Sequence, residues 1–452
     1  MAKLTTSAPG AIILQAGYDA YTDTGHTTPA TTDGALVAGF FATGLNLVQA
    51  TSNKRWILKT AGGPPGLSGA DGYFLRLDGS LSSLTDAAVT WGPSYTLFIV
   101  SKWNRRSASL QTLLEANGTY TYYTYNATGH FTQWDGAAAK DLIIGTQDHW
   151  AIQGVSENAG TLTAYRDTYV ATSVVGSALT AQTGVTIGTK TNLTQPSQVD
   201  IHSIIAIPTA VLSAGNLAQL FTDVAAYFGS NPFPVTGSTP LVLWEGNSLF
   251  AAGSNASDTA HEQQQVARGL LTGTLPDIRS VGQAGDSMSQ ISARASYIDA
   301  YPALVGRTRA NSVLVGGEGY NDSSAAAAFI SYIQARVAAG WGRIIIMLPC
   351  YTSGWAGAGG DAGVTAWYNT IKGTSFAVNV AFADYRGGGF GGSYAGGDFS
   401  DAVHWNDTGH GKAGAIIAVP LQTALNALLP TSSGLIIVGD RNTHRRGLKA
   451  RR

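Results

Sequence analysis

Leu241-Val242-Leu243-Trp244-Glu245-Gly246-Asn247-Ser248-Leu249 opens the second half of the chain with an apolar run that stops at a glycine and a serine. Residues 241–245 read as a buried strand. A serine just past such a strand, beside a glycine, can sit in a tight turn with its Oγ at the sheet edge. The N–H groups that follow it can then bind an oxyanion. Taken alone the signal is weak, because Gly-x-Ser is common and most turn serines are caps or turn formers.

Working outward from that strand, the pattern repeats. Apolar strand-like runs cover 241–245, 277–281, 312–316, 343–348 and 378–383, and helical periodicity covers 256–271, 287–298, 323–338, 362–371 and 411–428. In the first helical stretch Val266, Leu270 and Leu271 are expected to face inward. Alternating βα units predict a parallel sheet flanked by helices, with the functional site at the carboxyl ends of the strands.

Three further segments fall at those ends. Gly282-Gln-Ala-Gly285-Asp-Ser287 follows the second strand, and a glycine there lets the backbone approach a ligand and present its N–H. It also reads as an ordinary β-to-α turn. Gly316-Gly-Glu-Gly319-Tyr-Asn321-Asp322 ends the third strand, where the Asn321 amide can aim at a developing oxyanion or Asn-Asp can serve as turn and helix cap. Asp401-Ala-Val-His404 precedes the last helix. A nucleophilic serine needs a base, and the base needs an acceptor to fix its tautomer, so Asp-x-x-His on one loop can supply both. His261, His410 and Asp398 are alternatives nearby, but none has the partner spacing of Asp401 with His404.

Together, in this order and at these strand ends, the four segments resemble the SGNH hydrolases, also called GDSL-like esterases and lipases. The resemblance covers 241–428 and implies a three-layer, flavodoxin-like α/β domain with a parallel sheet. It places Ser248 on the nucleophile, His404 on the base and Asp401 on its orienting acid. The N–H groups of Ser248 and Gly285 and the side chain of Asn321 fall on the oxyanion hole, with no metal and no cofactor. The sequence departs from the family at Asn247, where the name motif has Asp, and at Ser280, where the second block often has Asn.

Before residue 230 the texture is different. Short segments such as Gly72–Leu77, Tyr95–Trp103, Thr161–Arg166 and Val199–Ile207 are separated by turn residues, and a helical face recurs through Leu217, Leu220, Phe221, Val224, Ala225 and Phe228, with Ser213 as its cap. This predicts an all-β sandwich over 15–228, after an arm over 1–14 and before a linker over 229–240 that is rich in Pro and Gly. The pattern, above all Gly72-Tyr-Phe-Leu-Arg-Leu-Asp78-Gly79, resembles concanavalin-like, laminin-G-type jelly rolls. That resemblance implies glycan binding, for which Tyr120, Tyr122, Tyr123, Tyr125 and Trp134 are candidate stacking platforms as well as ordinary strand residues.

Charged residues make up only 12% of the 452 residues and the net charge is -1, so the body of the protein has no field for nucleic acid. The basic tail, 429–452, reads as a solvated end or a docking segment. The single cysteine, Cys350, excludes an intrachain disulfide and follows an apolar run as a buried thiol would. No segment has the length of a membrane span, and the first residues lack the apolar run of a leader, so synthesis in a cytoplasm without conventional export is expected. A lectin-like domain joined to an SGNH domain in such a chain resembles bacteriophage virion proteins: tail spikes, fibres or decoration proteins. The expected partners are an acylated polysaccharide, other virion proteins and further copies of the chain, at a virion or other extracellular surface. Two functions follow: an esterase that removes acyl groups, O-acetyl first, from a surface polysaccharide, or a structural or receptor-binding virion protein that keeps the esterase fold for adhesion.

Overall fold

The computed structural model describes residues 3–64, 66–78, 82–103, 111–116, 120–125, 130–134, 139–144, 150–167, 169–174, 180–189, 198–229, 239–247, 249, 261–282, 286–354, 359–388, 390, 394 and 396–428. Among the described residues the first half holds two antiparallel sheets of nine strands each. Their facing sides share one apolar cluster, with Trp56, Leu75, Leu97, Ile99 and Ile204 from one sheet and Phe40, Leu47, Leu84, Leu114 and Val185 from the other. Strands Ser94–Trp103 and Gln198–Ile207 are buried nearly throughout because both their faces are covered. Phe98, Val100 and Ile205 turn outward beneath the helix Ala214–Phe228, meeting Leu220, Val224 and Phe228. Ser213 caps that helix through its Oγ, which accepts the Asn216 N–H at 3.2 Å, and Gly229 ends it in the left-handed region at φ 75°.

The opening residues set apart in sequence as an arm are packed onto this unit. Ile12–Gln15 pairs with Gln198–Ile207, and Leu4 and Ala8 are buried in the cluster under the helix. Strands Tyr120–Tyr125 and His130–Trp134, which carry the candidate aromatics, lie toward one end of the second sheet.

Among the described residues the second half holds five parallel strands, β1 (Leu241–Gly246), β2 (Asp277–Ser280), β3 (Ser312–Gly317), β4 (Arg343–Leu348) and β5 (Val380–Asp384). Their order is β2-β1-β3-β4-β5. Alternate residues serve two cores. Val242, Trp244, Val313, Val315, Ile345 and Met347 face the helices Gln263–Leu270 and Asp407–Leu428. Leu241, Leu243, Leu314, Ile344, Ile346 and Leu348 face the helices Met288–Ala293, Ala295–Leu304 and Ala326–Ala338. The chain runs from β1 outward to β2 and then crosses back to β3, so a crevice opens at the carboxyl ends of β1 and β3, where ligands bind in such sheets. Among the described residues no helix is long and apolar enough to cross a membrane.

Local differences from the sequence pattern have specific causes. The first helix is described from Gln263, and its buried side is Gln263, Gln264 and Ala267, while Leu270 is 55% exposed. Polar residues turn inward there because Gln263 bonds groups at the strand ends. The helix expected over 287–298 breaks at Arg294 into Met288–Ala293 and Ala295–Leu304, and Ser287 with Gln290 forms its capping box. The last helix begins at Asp407, earlier than 411, which puts His410 inside it. The fifth strand starts at Val380, leaving Val378 fully exposed.

The last helix packs closely on the first because Gly414 has no side chain: a Cβ there would lie 2.6 Å from the Val266 Cβ and 2.9 Å from the Gln263 carbonyl oxygen. Gly414→Ala should therefore destabilise the protein by about 1–3 kcal/mol, although alanine is the better helix former. Val266→Ala in the same chain removes the Val266 Cγ1, which lies at the same 2.6 Å, and should recover part of that loss. Urea unfolding of the two variants checks both signs.

Candidate active site at the strand ends

The site assembles from loops that leave apolar strands with a few polar residues apiece. The Asp401–His404 loop precedes the last helix. His404 Nδ1 lies 2.8 Å from Asp401 Oδ2, while Asp401 Oδ1 accepts the backbone N–H groups of His404 at 2.7 Å and Val403 at 2.9 Å. An ionised carboxylate only accepts, so Nδ1 carries the proton and Nε2 is the basic nitrogen. Burial pushes the Asp401 carboxyl up, but the two backbone donors and the imidazole outweigh it and hold the group below its ordinary value. The loop is pinned by its backbone: Ser400 N–H and Oγ donate to the His404 carbonyl, Ser353 N–H donates to that of Ala402, and Tyr394 OH donates to that of Asp401. Phe399 and Trp405 form an antiparallel bridge across its base.

Asn321 lies beyond β3. Its Nδ2 donates to the Asp286 carbonyl at 3.1 Å, which joins the loop after β3 to the residue following Gly285. The backbone there turns through Gly319, whose φ of +117° few other residues adopt and where a Cβ would lie 2.7 Å from the Trp367 ring. Ser248 and Gly285 lie outside the described residues. Their neighbours are held. Leu249 N–H donates to Asn247 Oδ1 at 3.1 Å, and the Leu249 carbonyl accepts from Gln263 Nε2, whose side-chain oxygen in turn accepts from Tyr385 OH.

The structure thus brings His404 onto Asp401 and ties Asn321 to the β2 loop. The alternatives do other work. His410 is buried edge-on against Trp405, Asp398 is buried and paired with Lys412 at 2.7 Å, and His261 is exposed ahead of the first helix. Cys350 is a buried thiol that burial pushes up to about 12.

Several residues escaped the sequence reading. Glu318 is fully buried and accepts from the N–H groups of Asn321 and Asp322, both at 2.8 Å, and from Asn247 Nδ2. Asp286 is paired with Arg294 inside the protein. Glu245, also buried, accepts from Tyr332 OH. The signal was present: a carboxylate closing a fully apolar strand has to be paired, and both 245 and 318 are such places.

No family model and no curated protein sequence matches the chain. Among solved structures it is similar to an acetylxylan esterase from Geobacillus stearothermophilus, at 18% identity and a TM-score of 0.31 over 42% of this chain and 95% of that one. It is similar to a member of the lipolytic G-D-S-L family from Veillonella parvula at 16% identity and a TM-score of 0.34, over 41% of this chain and 99% of that one. A lipase from a goat rumen metagenome shares 13% identity at a TM-score of 0.32, over 40% of this chain and 97% of that one.

Burial pushes the Glu245 carboxyl up to about 7 against the pull of Arg294, the Tyr332 hydroxyl and Arg336. The fold favours its neutral form. The stability it contributes is therefore complete below the ordinary value of 4.5 and is lost as pH rises through about 7. Glu245→Gln keeps an oxygen for Tyr332 and should flatten the decline in unfolding free energy over that interval. Urea titrations across it with an unchanged slope would show that the group ionises as readily in the fold as out of it.

Proposed function

We propose that the chain is a serine esterase of the SGNH type that hydrolyses O-acetyl esters on a surface polysaccharide. The observation that carries this reading is the Asp401–His404 pair, fixed in one tautomer on the loop before the last helix of a β2-β1-β3-β4-β5 parallel sheet. Asn321 supports it from the end of β3, with its amide held in place by the Asp286 carbonyl.

In this mechanism Ser248 Oγ attacks the ester carbonyl while His404 Nε2 takes its proton. Asp401 holds the ring and stabilises the imidazolium. The N–H groups of Ser248 and Gly285 and Asn321 Nδ2 receive the negative charge that develops on the carbonyl oxygen. His404 returns the proton to the departing sugar alkoxide. Water, deprotonated by His404, then attacks the acyl-serine ester, and acetate leaves as Ser248 recovers its proton. Short acyl groups suit the site because no long apolar lid segment flanks Ser248 in the sequence. The first-half sandwich, with its concanavalin-like pattern, is the domain that would hold the glycan, and a virion surface is the setting this pairing of domains suits.

Ser248→Ala should abolish turnover of a chromogenic acetyl ester while leaving the thermal unfolding midpoint in place. Asn321→Ala should lower kcat by roughly 10²–10³-fold, the size of one lost oxyanion donor. Asp401→Asn should cost about 10⁴-fold, because an amide at that position can hold the imidazole in the wrong tautomer. Wild-type protein that releases no acetate from either the chromogenic ester or acetylated polysaccharide would overturn the esterase reading.

A further inference from the structure

Asn247 and Glu318 stand at the carboxyl ends of β1 and β3, the two strands that border the crevice, and both are fully buried. Glu318 Oε2 accepts from Asn247 Nδ2, and Glu318 Oε1 accepts the N–H groups of Asn321 and Asp322, each at 2.8 Å. Asn247 spends its remaining oxygen on the Leu249 N–H at 3.1 Å. One carboxylate therefore holds three donors in two loops. Those loops carry the residues on either side of Ser248 and the backbone of Asn321 itself. We propose that Asn247 and Glu318 form a clamp that positions the nucleophile turn and the oxyanion asparagine relative to one another, and that position 247 is an amide because position 318 supplies the acid. The inference rests on the esterase reading.

The chemistry explains why the residue type at 247 is constrained. A carboxylate there would face the Glu318 carboxylate in a site from which water is excluded, and two such anions cannot both stay ionised at that separation. An amide offers a donor to Glu318 and an acceptor to Leu249 from the same group. A carboxylate at 247 opposite an amide at 318 would satisfy every one of these bonds with the roles reversed. A pair with this property is testable by exchange, because either single change breaks it and the double change mends it. Asn247 and Glu318 act through Ser248 and Asn321 and are positioning residues: they carry no proton in the reaction.

The test uses the full chain and a chromogenic acetyl ester, with kcat, KM and thermal unfolding measured for Glu318→Gln, Asn247→Asp and the double variant. Glu318→Gln sets one NH₂ group against another and should lower kcat by roughly 10–100-fold, the scale of a small misplacement at a reacting centre, with KM changed by less than about threefold. Asn247→Asp forces one of the two facing carboxyls to hold a proton and should lower kcat as well, more so as pH rises and that proton is lost. The double variant should regain at least about tenfold in kcat over the worse single variant, the size of coupling expected between residues in contact. If the double variant is as slow as the product of the two single effects, or if Glu318→Gln keeps wild-type kcat, the clamp is wrong even though the esterase reading stands. If unfolding temperatures recover in the double variant and kcat does not, the pair is structural and the positioning role fails. Absence of turnover in the wild-type chain would instead bring down the esterase reading, and the clamp with it.

Discussion

Every central strand of the parallel sheet is buried on both faces, and that constraint sorts the rest of the second half. Val242 and Trp244 look one way from β1 and Leu241 and Leu243 the other, each into a closed apolar core. A polar side chain within such a strand would lose water on both sides, at a cost of several kcal/mol without a partner. The chemistry is therefore pushed to the strand ends, where loops can bring donors to it. Asn247, Glu318 and Asn321 follow strand ends and find partners in the loops there, while Glu245, near the end of β1, and Asp286, in the loop after β2, find theirs among the flanking helices in Tyr332 and Arg294.

That same constraint explains how much of the molecule was legible in its sequence. Runs such as Ile344-Ile345-Ile346-Met347-Leu348 have one physical reading when glycine-bounded helical segments alternate with them, so the strands were placed to within two residues. The Asp401–His404 pair was legible because its two members are three residues apart and a short loop suffices to join them. For Glu318 only the need for partners was legible: Asn321 and Asp322 follow it in the same loop, but Asn247 comes from another strand, and no local pattern encodes which strands are neighbours. The inward turn of Gln263 and Gln264 was hidden for the same reason. Helical periodicity marks apolar residues as the buried side, whereas here a glutamine is buried because it reaches the Leu249 carbonyl. In the sandwich, Tyr95-Thr-Leu-Phe-Ile-Val reads as a strand, but the helix that covers its outer side lies more than a hundred residues away in the chain.

The site divides its acids by solvation. Glu245 and Glu318 are sealed, and burial pushes both up to about 7. Asp401 is half exposed and is held below its ordinary value by three donors. The two conditions suit different tasks. A sealed carboxyl fixes geometry, since its bonds cannot be exchanged for water, but its charge is expensive and responds to pH. An ionised acid beside a histidine holds the imidazole in one tautomer, and exposure with multiple donors keeps it ionised.

The divergence at Asn247 fits this division. An acid at 247 would have to be sealed, since that position is fully buried. The chain already seals one acid across the crevice at Glu318, and the low dielectric that strengthens a bond between carboxylate and amide there would magnify repulsion between two carboxylates. Only one of the two positions can hold the charge. Placing it on the β3 side lets it also collect the Asn321 and Asp322 N–H groups in the loop that follows. Placing it on the β1 side would leave those two donors to a neutral acceptor, since charge-assisted hydrogen bonds are the stronger kind. The amide at 247 follows from where the backbone donors are.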